Sequence, residues 1–321
     1  MTKTKVEYTE LGSTGIRISR IGLGTWQFSQ SWGVTSYDDA KAIISKALDL
    51  GINLIDTAII YGKGLSEEYI GRALRELGAK RDEVVIATKI PGEMLSYDDV
   101  FKATKRSLER LQTIYIDLLQ VHWPPCWNNI PTCEYMRALE RLQAQGLIEA
   151  IGLSNFPVEL VESARACLAR ADIEAIQVRF NIAELEAERE HIPYAEENEL
   201  TLLAWSPLAK GAILGKYTLE EATRLSDVRA NDPLFHPENY SQILELAGEI
   251  KKLARKYDKT PAQIALNWLL AYSDAIVPIP GAKTAEQVED NAGAMGWRLE
   301  VEDWLYLYEK ARKLRITRVT F

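Results

Sequence analysis

The chain has 321 residues, 47% hydrophobic and 26% charged, with a formal net charge of -8. This composition excludes a disordered chain, and an acidic balance without a Lys/Arg stripe excludes nucleic acid as an expected partner. No apolar run approaches the roughly 18 residues of a membrane helix, and the amino-terminal MTKTKVEYTELG lacks the apolar segment of a signal peptide, so a cytoplasmic protein without a membrane partner is expected.

In chain order, Tyr8–Leu11 and Ile16–Ser19 flank the turn Gly12-Ser13-Thr14-Gly15 and read as a small hairpin. Eight apolar β-type runs follow: Ile21–Gly24, Asn53–Asp56, Val84–Thr88, Ile116–Val121, Glu149–Leu153, Ala175–Val178, Leu202–Ala204 and Ala275–Val277. Amphipathic helices occupy the intervals; Ile243, Ala247, Ile250, Ala254 and Tyr257 form one apolar stripe, opposite Lys251, Lys252 and Lys256. Strands alternating with helices specify a parallel sheet with helical crossovers, and eight of them predict closure into a (β/α)8 TIM barrel, its bottom plugged by the hairpin. Without an internal repeat or linker, residues 1–321 read as one domain. The stretch from Ser206 to Tyr240 is long for a barrel loop and is expected to cover the active site. Cys126 and Cys133 lack the usual zinc spacing and Cys167 falls on a predicted helix, so all three are expected as unpaired thiols, with no metal site.

Four polar side chains stand at or just beyond the carboxyl ends of consecutive predicted strands: Asp56 and Tyr61 after the second, Lys89 after the third, His122 after the fourth. In a barrel those ends share one face, where active sites are built. The segments Asp56-Thr57-Ala58-Ile59-Ile60-Tyr61-Gly62, Ala87-Thr88-Lys89 and Gln120-Val121-His122-Trp123-Pro124 resemble those of the aldo-keto reductases. The likeness continues through Gly152-Leu153-Ser154-Asn155-Phe156, Trp205-Ser206-Pro207-Leu208 and Ile279-Pro280-Gly281 to Asn291, nearly the whole chain.

The resemblance implies an NADP(H)-dependent oxidoreductase that reduces an aldehyde or ketone. Negative charge builds on the carbonyl oxygen as hydride reaches carbon, so a placed proton donor lowers the barrier. By resemblance Tyr61 is that donor. A cation about 4 Å away, at an effective dielectric of about 20, contributes roughly 4 kcal/mol towards ionising a phenol. Lys89 is therefore expected to lower the Tyr61 pKa, with Asp56 holding Lys89 charged and oriented, and His122 to orient the carbonyl oxygen as a neutral donor.

For the cofactor, Gly22-Leu23-Gly24-Thr25-Trp26-Gln27 ends in glutamine where a G-x-G-x-x-G fingerprint needs glycine. The resemblance instead places the nicotinamide in the barrel mouth, its amide held by Ser154, Asn155 and Gln177 and its ring stacked on Trp205. Ser206, Leu208 and Gly211 match the loop around the pyrophosphate. Gly281 and Lys283 precede a predicted helix over Ala285–Asn291, whose amino terminus suits a phosphate. That favours NADPH over NADH, although Gln287 stands where several relatives place an arginine. Asn291 closes the cofactor set.

Trp26, Trp32, Trp123 and Trp127 fall near strand ends on the catalytic face and are expected to line an apolar substrate pocket, whereas Trp268, Trp297 and Trp304 are expected to pack on helices. Two other readings stay open. The β-subunits of potassium channels resemble this family and keep a nicotinamide while serving as binding partners. An unrelated (β/α)8 enzyme would use Asp56 and His122 for proton transfer or metal binding.

Overall fold

The computed structural model describes residues 5–29, 32–33, 36–125 and 129–317. Strands β1 (Tyr8–Glu10) and β2 (Arg17–Ser19) form the antiparallel hairpin. Eight parallel strands follow: β3 (Leu23–Gly24), β4 (Leu54–Asp56), β5 (Val85–Ile90), β6 (Ile116–Val121), β7 (Ile148–Ser154), β8 (Ile173–Arg179), β9 (Thr201–Trp205) and β10 (Ile276–Pro278). The helices are α1 (Tyr37–Asp49), α2 (Leu65–Glu76), α3 (Tyr97–Leu111), α4 (Thr132–Ala144), α5 (Val158–Arg165), α6 (His191–Glu197), α7 (Leu219–Ala222), α8 (Pro237–Lys256), α9 (Pro261–Tyr272), α10 (Ala285–Ala292) and α11 (Val301–Ala311). Several begin on a serine or threonine cap: Ser36 and Ser96 accept from the amides of Asp39 and Asp99, and Thr260 forms a reciprocal box with Gln263.

Consecutive strands are neighbours in the sheet, and the last returns to the first. Gly22 N–H donates to Pro278 O at 2.9 Å, Gly24 N–H donates to Pro280 O at 3.0 Å, and Gly24 pairs with Gly281. This seam explains the glycines of Gly22-Leu23-Gly24: a Cβ on Gly24 would stand 2.7 Å from the Ile279 carbonyl oxygen.

The period of two along each strand separates two cores. Leu54, Val85, Ala87, Leu118, Ala150, Ala175, Leu203 and Val277 fill the barrel, closed below by Leu11 and Ile18 of the hairpin. Ile55, Ile86, Leu119, Ile151, Ile176, Leu202 and Ile276 face the helices. Each fully buried aliphatic side chain contributes about 1.5–3 kcal/mol relative to exposure. Continuing the inward positions towards the carboxyl ends gives Asp56, Lys89, Gln120, Ser154, Gln177 and Trp205. The site is therefore the last, polar layer of a barrel otherwise filled by apolar side chains.

One expectation changes, that of three unpaired thiols. Cys133 and Cys167 are joined in a disulfide, because α4 and the end of α5 bring their Cα atoms to 4.9 Å; residues 34 apart in the chain carry no spacing signal for this. Cys126 lies outside the described residues. On the polar face of α8, the Lys251 ammonium donates to Gly215 O at 2.6 Å. Trp268 and Trp304 do pack on helices, their rings stacked at 5.3 Å and each indole N–H donating to the other's carbonyl.

Candidate active site

Asp56 ends β4 and Lys89 lies within β5, both almost wholly buried. Lys89 Nζ donates to Asp56 Oδ1 at 2.5 Å and to the Thr57 carbonyl at 2.7 Å. The other oxygen, Oδ2, accepts from Gln177 Nε2 at 2.9 Å and Gln120 Nε2 at 3.3 Å, and the two glutamines bond each other at 3.1 Å. Both carboxylate oxygens are thus satisfied, which is what a buried ion pair requires. Burial pulls the Lys89 pKa down and Asp56 opposes that pull.

Tyr61 opens a turn before α2, over which Gly62, Lys63 and Gly64 all take positive φ. That backbone returns the phenol over the barrel mouth, where its ring centroid lies 5.3 Å from Lys89 Nζ and 5.9 Å from the His122 ring. The expected lowering of the Tyr61 pKa is overturned. Burial, followed by the charge of Asp56, pushes the phenol up, since the Lys89 charge is spent on Asp56 and the Thr57 carbonyl. Burial, aided by Lys89, holds the His122 pKa down to about 2, so the ring is neutral. Its Nδ1 is buried without a hydrogen-bond partner among the described residues.

A cleft of about 490 Å³ runs from this cluster across the mouth, lined by Trp26, Trp32, Trp123, Ser154, Asn155, Gln177, Trp205, Ser206, Leu208, Gly211, Gly281, Lys283, Gln287 and Asn291. Asn155, at φ 60°, donates from Nδ2 to the His122 carbonyl at 2.9 Å and accepts from Trp205 Nε1 at 3.0 Å. Gln177 faces two ways, since it lines the cleft while its amide nitrogen supports Asp56. A Cβ on Gly211, where φ is 90°, would meet nothing within 4 Å, so the loop after β9 leaves open space there. At Gly281 a Cβ would run into the Gln27 amide, whose Oε1 is buried without a partner among the described residues.

Lys283 does line the cleft, but its stem is laid along Gly33 and its ammonium sits 5.6 Å from the Trp32 ring centroid. Gln287 is partly committed: its Oε1 accepts from Lys283 N–H at 2.8 Å, closing the turn before α10. Trp26 packs edge-on against Trp32 at 4.7 Å and near Tyr61, and Trp123 lies 4.4 Å from His122, so three of the four indoles expected around a substrate do gather there. Trp127 lies outside the described residues.

The cleft also contains groups absent from the sequence reading: Lys210, Lys216, Tyr217 and Arg229, all from the long loop after β9. Asp232 of that loop is held by Arg179 at 3.0 Å and Lys210 at 2.8 Å, so buried ion pairs fasten the loop to the end of β8. The sequence carried no net signal for these cleft groups, since Lys210, Lys216, Arg224 and Arg229 are outnumbered within Ser206–Tyr240 by Glu220, Glu221, Asp227, Asp232 and Glu238.

Residues 20–312 match the model of the aldo/keto reductase family. The aldo-keto reductase YhdN of Bacillus subtilis is 38% identical over 93% of this chain and 91% of its own length. The aldo-keto reductase yakc [NADP(+)] of Schizosaccharomyces pombe is 33% identical over 88% and 85%, and the NADH-specific methylglyoxal reductase of Escherichia coli 31% over 95% and 98%. Among solved structures, a glycerol dehydrogenase from Gluconobacter oxydans superposes with a TM-score of 0.83 at 31% identity, covering 100% of this chain and 99% of that one. With its closed barrel, polar mouth and a family match over most of its length, the chain belongs to the aldo/keto reductases, oxidoreductases that act on carbonyl compounds.

Proposed function

We propose that this protein reduces an aldehyde or ketone to an alcohol with NADPH, with Tyr61 as the proton donor. The observation that carries the reading is the buried Asp56–Lys89 pair beneath Tyr61 and beside a neutral His122, in a cleft of about 490 Å³ that reaches from them to Lys283 and Asn291. The residues present fit such a cofactor. Ser154, Asn155 and Gln177 offer amide and hydroxyl groups at the inner end, Trp205 a ring face beside them, Gly211 an open backbone, and Lys210, Lys216, Arg229 and Lys283 positive charge along the outer half. When bound, the nicotinamide supplies the hydride.

The remaining work falls to side chains. Tyr61 gives its hydroxyl proton to the carbonyl oxygen as the C–H bond forms, and recovers a proton from solvent. Its raised pKa keeps that proton in place at neutral pH. Lys89, held in line by Asp56 and the Thr57 carbonyl, neutralises the carboxylate beneath Tyr61, so that the phenolate that forms meets an ion pair rather than a bare negative charge. His122, unable to charge at neutral pH, donates one N–H to the same oxygen. Trp26 and Trp123 exclude water from the reacting carbon.

The yeast and Escherichia coli relatives carry names with opposite cofactors, and the choice of NADPH here rests on Lys216 and Lys283 of the outer cleft, since Lys210 is paired with Asp232 and Arg229 with Asp227. Among the described residues no helix is long and apolar enough to cross a membrane, and a cytoplasmic setting fits a reductase fed by NADPH. A panel of aldehydes and ketones assayed with NADPH and with NADH tests the reading; no carbonyl-dependent oxidation of either cofactor would refute it.

A further inference from the structure

A second carboxylate lies directly behind Lys89. Glu67, in the first turn of α2, is completely buried. One of its oxygens accepts from Thr88 Oγ1 at 2.7 Å and the other from Arg110 Nε of α3 at 2.7 Å. Thr88 is the strand neighbour of Lys89, so Glu67 grips β5 from outside the barrel at the point where Lys89 enters from inside.

The same contact reaches the other side of the site. The Arg110 guanidinium packs against Gly64, the last residue of the Tyr61 turn, so closely that a Cβ there would come within 2.8 Å of it. Gly64 has φ 99° and follows two further left-handed residues, a run tied by turn bonds from Lys63 N–H to Ile60 O and from Leu65 N–H to the Tyr61 and Gly62 carbonyls. Next to Glu67, Ser66 accepts from Thr57 Oγ1 and donates to Thr25 Oγ1, both at 2.9 Å, and Thr25 Oγ1 donates to the Asp56 carbonyl at 2.8 Å. The first turn of α2 is thus bonded to the ends of β3, β4 and β5 together.

We infer that Glu67, pinned by Arg110, is a positioning residue: it sets the turn that presents Tyr61 and stabilises the charged form of Lys89. This rests on the reductase reading above. Facing Lys89 are Asp56 from β4, Tyr61 from the turn, His122 after β6 and Glu67 from α2, with Arg110 of α3 partly cancelling Glu67. Of the two carboxylates Asp56 acts more strongly, and Glu67 adds to it in favouring the ammonium.

The test uses the full chain. Glu67→Gln keeps the shape and one acceptor but removes the charge. Single-turnover hydride transfer with NADPH prebound is expected to fall about tenfold to a hundredfold, the scale of a small misplacement of reacting groups. NADPH affinity should stay within about twofold. In the cofactor-free protein, the Lys89 ammonium followed by NMR should lose its proton at lower pH than in the parent. Arg110→Met should slow transfer as well, through the loosened turn. Arg110→Lys should restore part of the rate. Were Glu67→Gln not to fold, the two Arg110 variants would decide by rate loss in the first and its partial rescue in the second, at unchanged NADPH affinity. A folded Glu67→Gln with the parent's rate and Lys89 titration overturns the inference, as does a rate loss matched by cofactor affinity with the titration unmoved. An unsubstituted protein that transfers no hydride would instead overturn the reductase reading, and this role with it.

Discussion

Trp205 Nε1 donates to Asn155 Oδ1 at 3.0 Å, while the same amide donates from Nδ2 to the His122 carbonyl at 2.9 Å. The ring proposed to stack on the nicotinamide is thus tied through one side chain to the backbone of the residue proposed to orient the carbonyl. A tyrosine or phenylalanine offers a π face but no N–H at that place.

Trp205→Leu should therefore remove most of the fluorescence quench produced by NADPH and lower turnover as well as affinity. Trp205→Phe should keep affinity within a few-fold but lose turnover, since Asn155 Oδ1 is left without its donor. Quench and steady-state kinetics on both variants separate these effects. Wild-type quench and turnover in the leucine variant would make Trp205 purely structural.

Lys283 carries the proposed preference for a 2'-phosphate together with Lys216 of the long loop. Lys283→Ala should weaken NADPH binding by about 1–3 kcal/mol, as for a charge-assisted contact, and leave NADH nearly unchanged. Calorimetric titration with each cofactor reads the difference. Equal losses would place the lysine in packing against Gly33 and Trp32 alone.

His122 gives the fold an acid limit. Its folded pKa, about 2, lies below its ordinary value of 6.5, so the unfolded chain binds the extra proton first. The stabilisation is complete above pH 6.5 and is lost as the pH falls towards 2, at roughly 1.4 kcal/mol per pH unit. His122→Gln should be less acid-sensitive by about that slope between pH 6 and 4. Urea midpoints against pH for both proteins measure it, and parallel curves would show that the ring is not desolvated.

The barrel was legible because inward and outward positions alternate cleanly: Leu118 and Leu119 belong to opposite cores, and so do Leu203 and Leu202. Asp56, Lys89 and His122 were legible because strand ends announce the mouth. Gln120 was not, since its tie to Asp56 exists only once β4 and β6 curve onto one barrel axis. The sign of the Tyr61 shift failed for a related reason. The sequence predicts that Asp56 holds Lys89 and leaves a net cation beneath the phenol, but burial of the phenol and the Asp56 charge together outweigh it. The pairs Arg179–Asp232 and Glu67–Arg110 join residues dozens of positions apart, where sequence spacing carries no information.

The disulfide yields a stability prediction. Cys133 and Cys167 close a loop of 34 residues, for which chain entropy gives about 3–4 kcal/mol. Cys167→Ser, or full reduction, should lower the urea midpoint without changing the catalytic rate at temperatures where the protein stays folded. Mass spectrometry of the alkylated protein shows whether the thiols are free; equal midpoints for oxidised and reduced protein would remove any stabilising role.

Tyr61→Phe tests the proposed chemistry most directly. The ring still fills its space between Trp26 and His122, so folding and NADPH binding should survive. Only the acidic oxygen is lost, and carbonyl reduction should fall roughly a hundredfold to ten-thousandfold. Because the phenol pKa is raised, reduction by the parent should be flat through neutral pH and decline only where Lys89 gives up its proton, a group that burial brings down. Alcohol oxidation needs the phenolate and should keep rising with pH across the same range. Slow cofactor release would mask both profiles, so single-turnover hydride transfer with cofactor prebound is the measurement to make. If folded Tyr61→Phe transfers hydride at the parent's rate across that range, the proton comes from another group, and the Asp56–Lys89 pair beneath it is a structural ion pair.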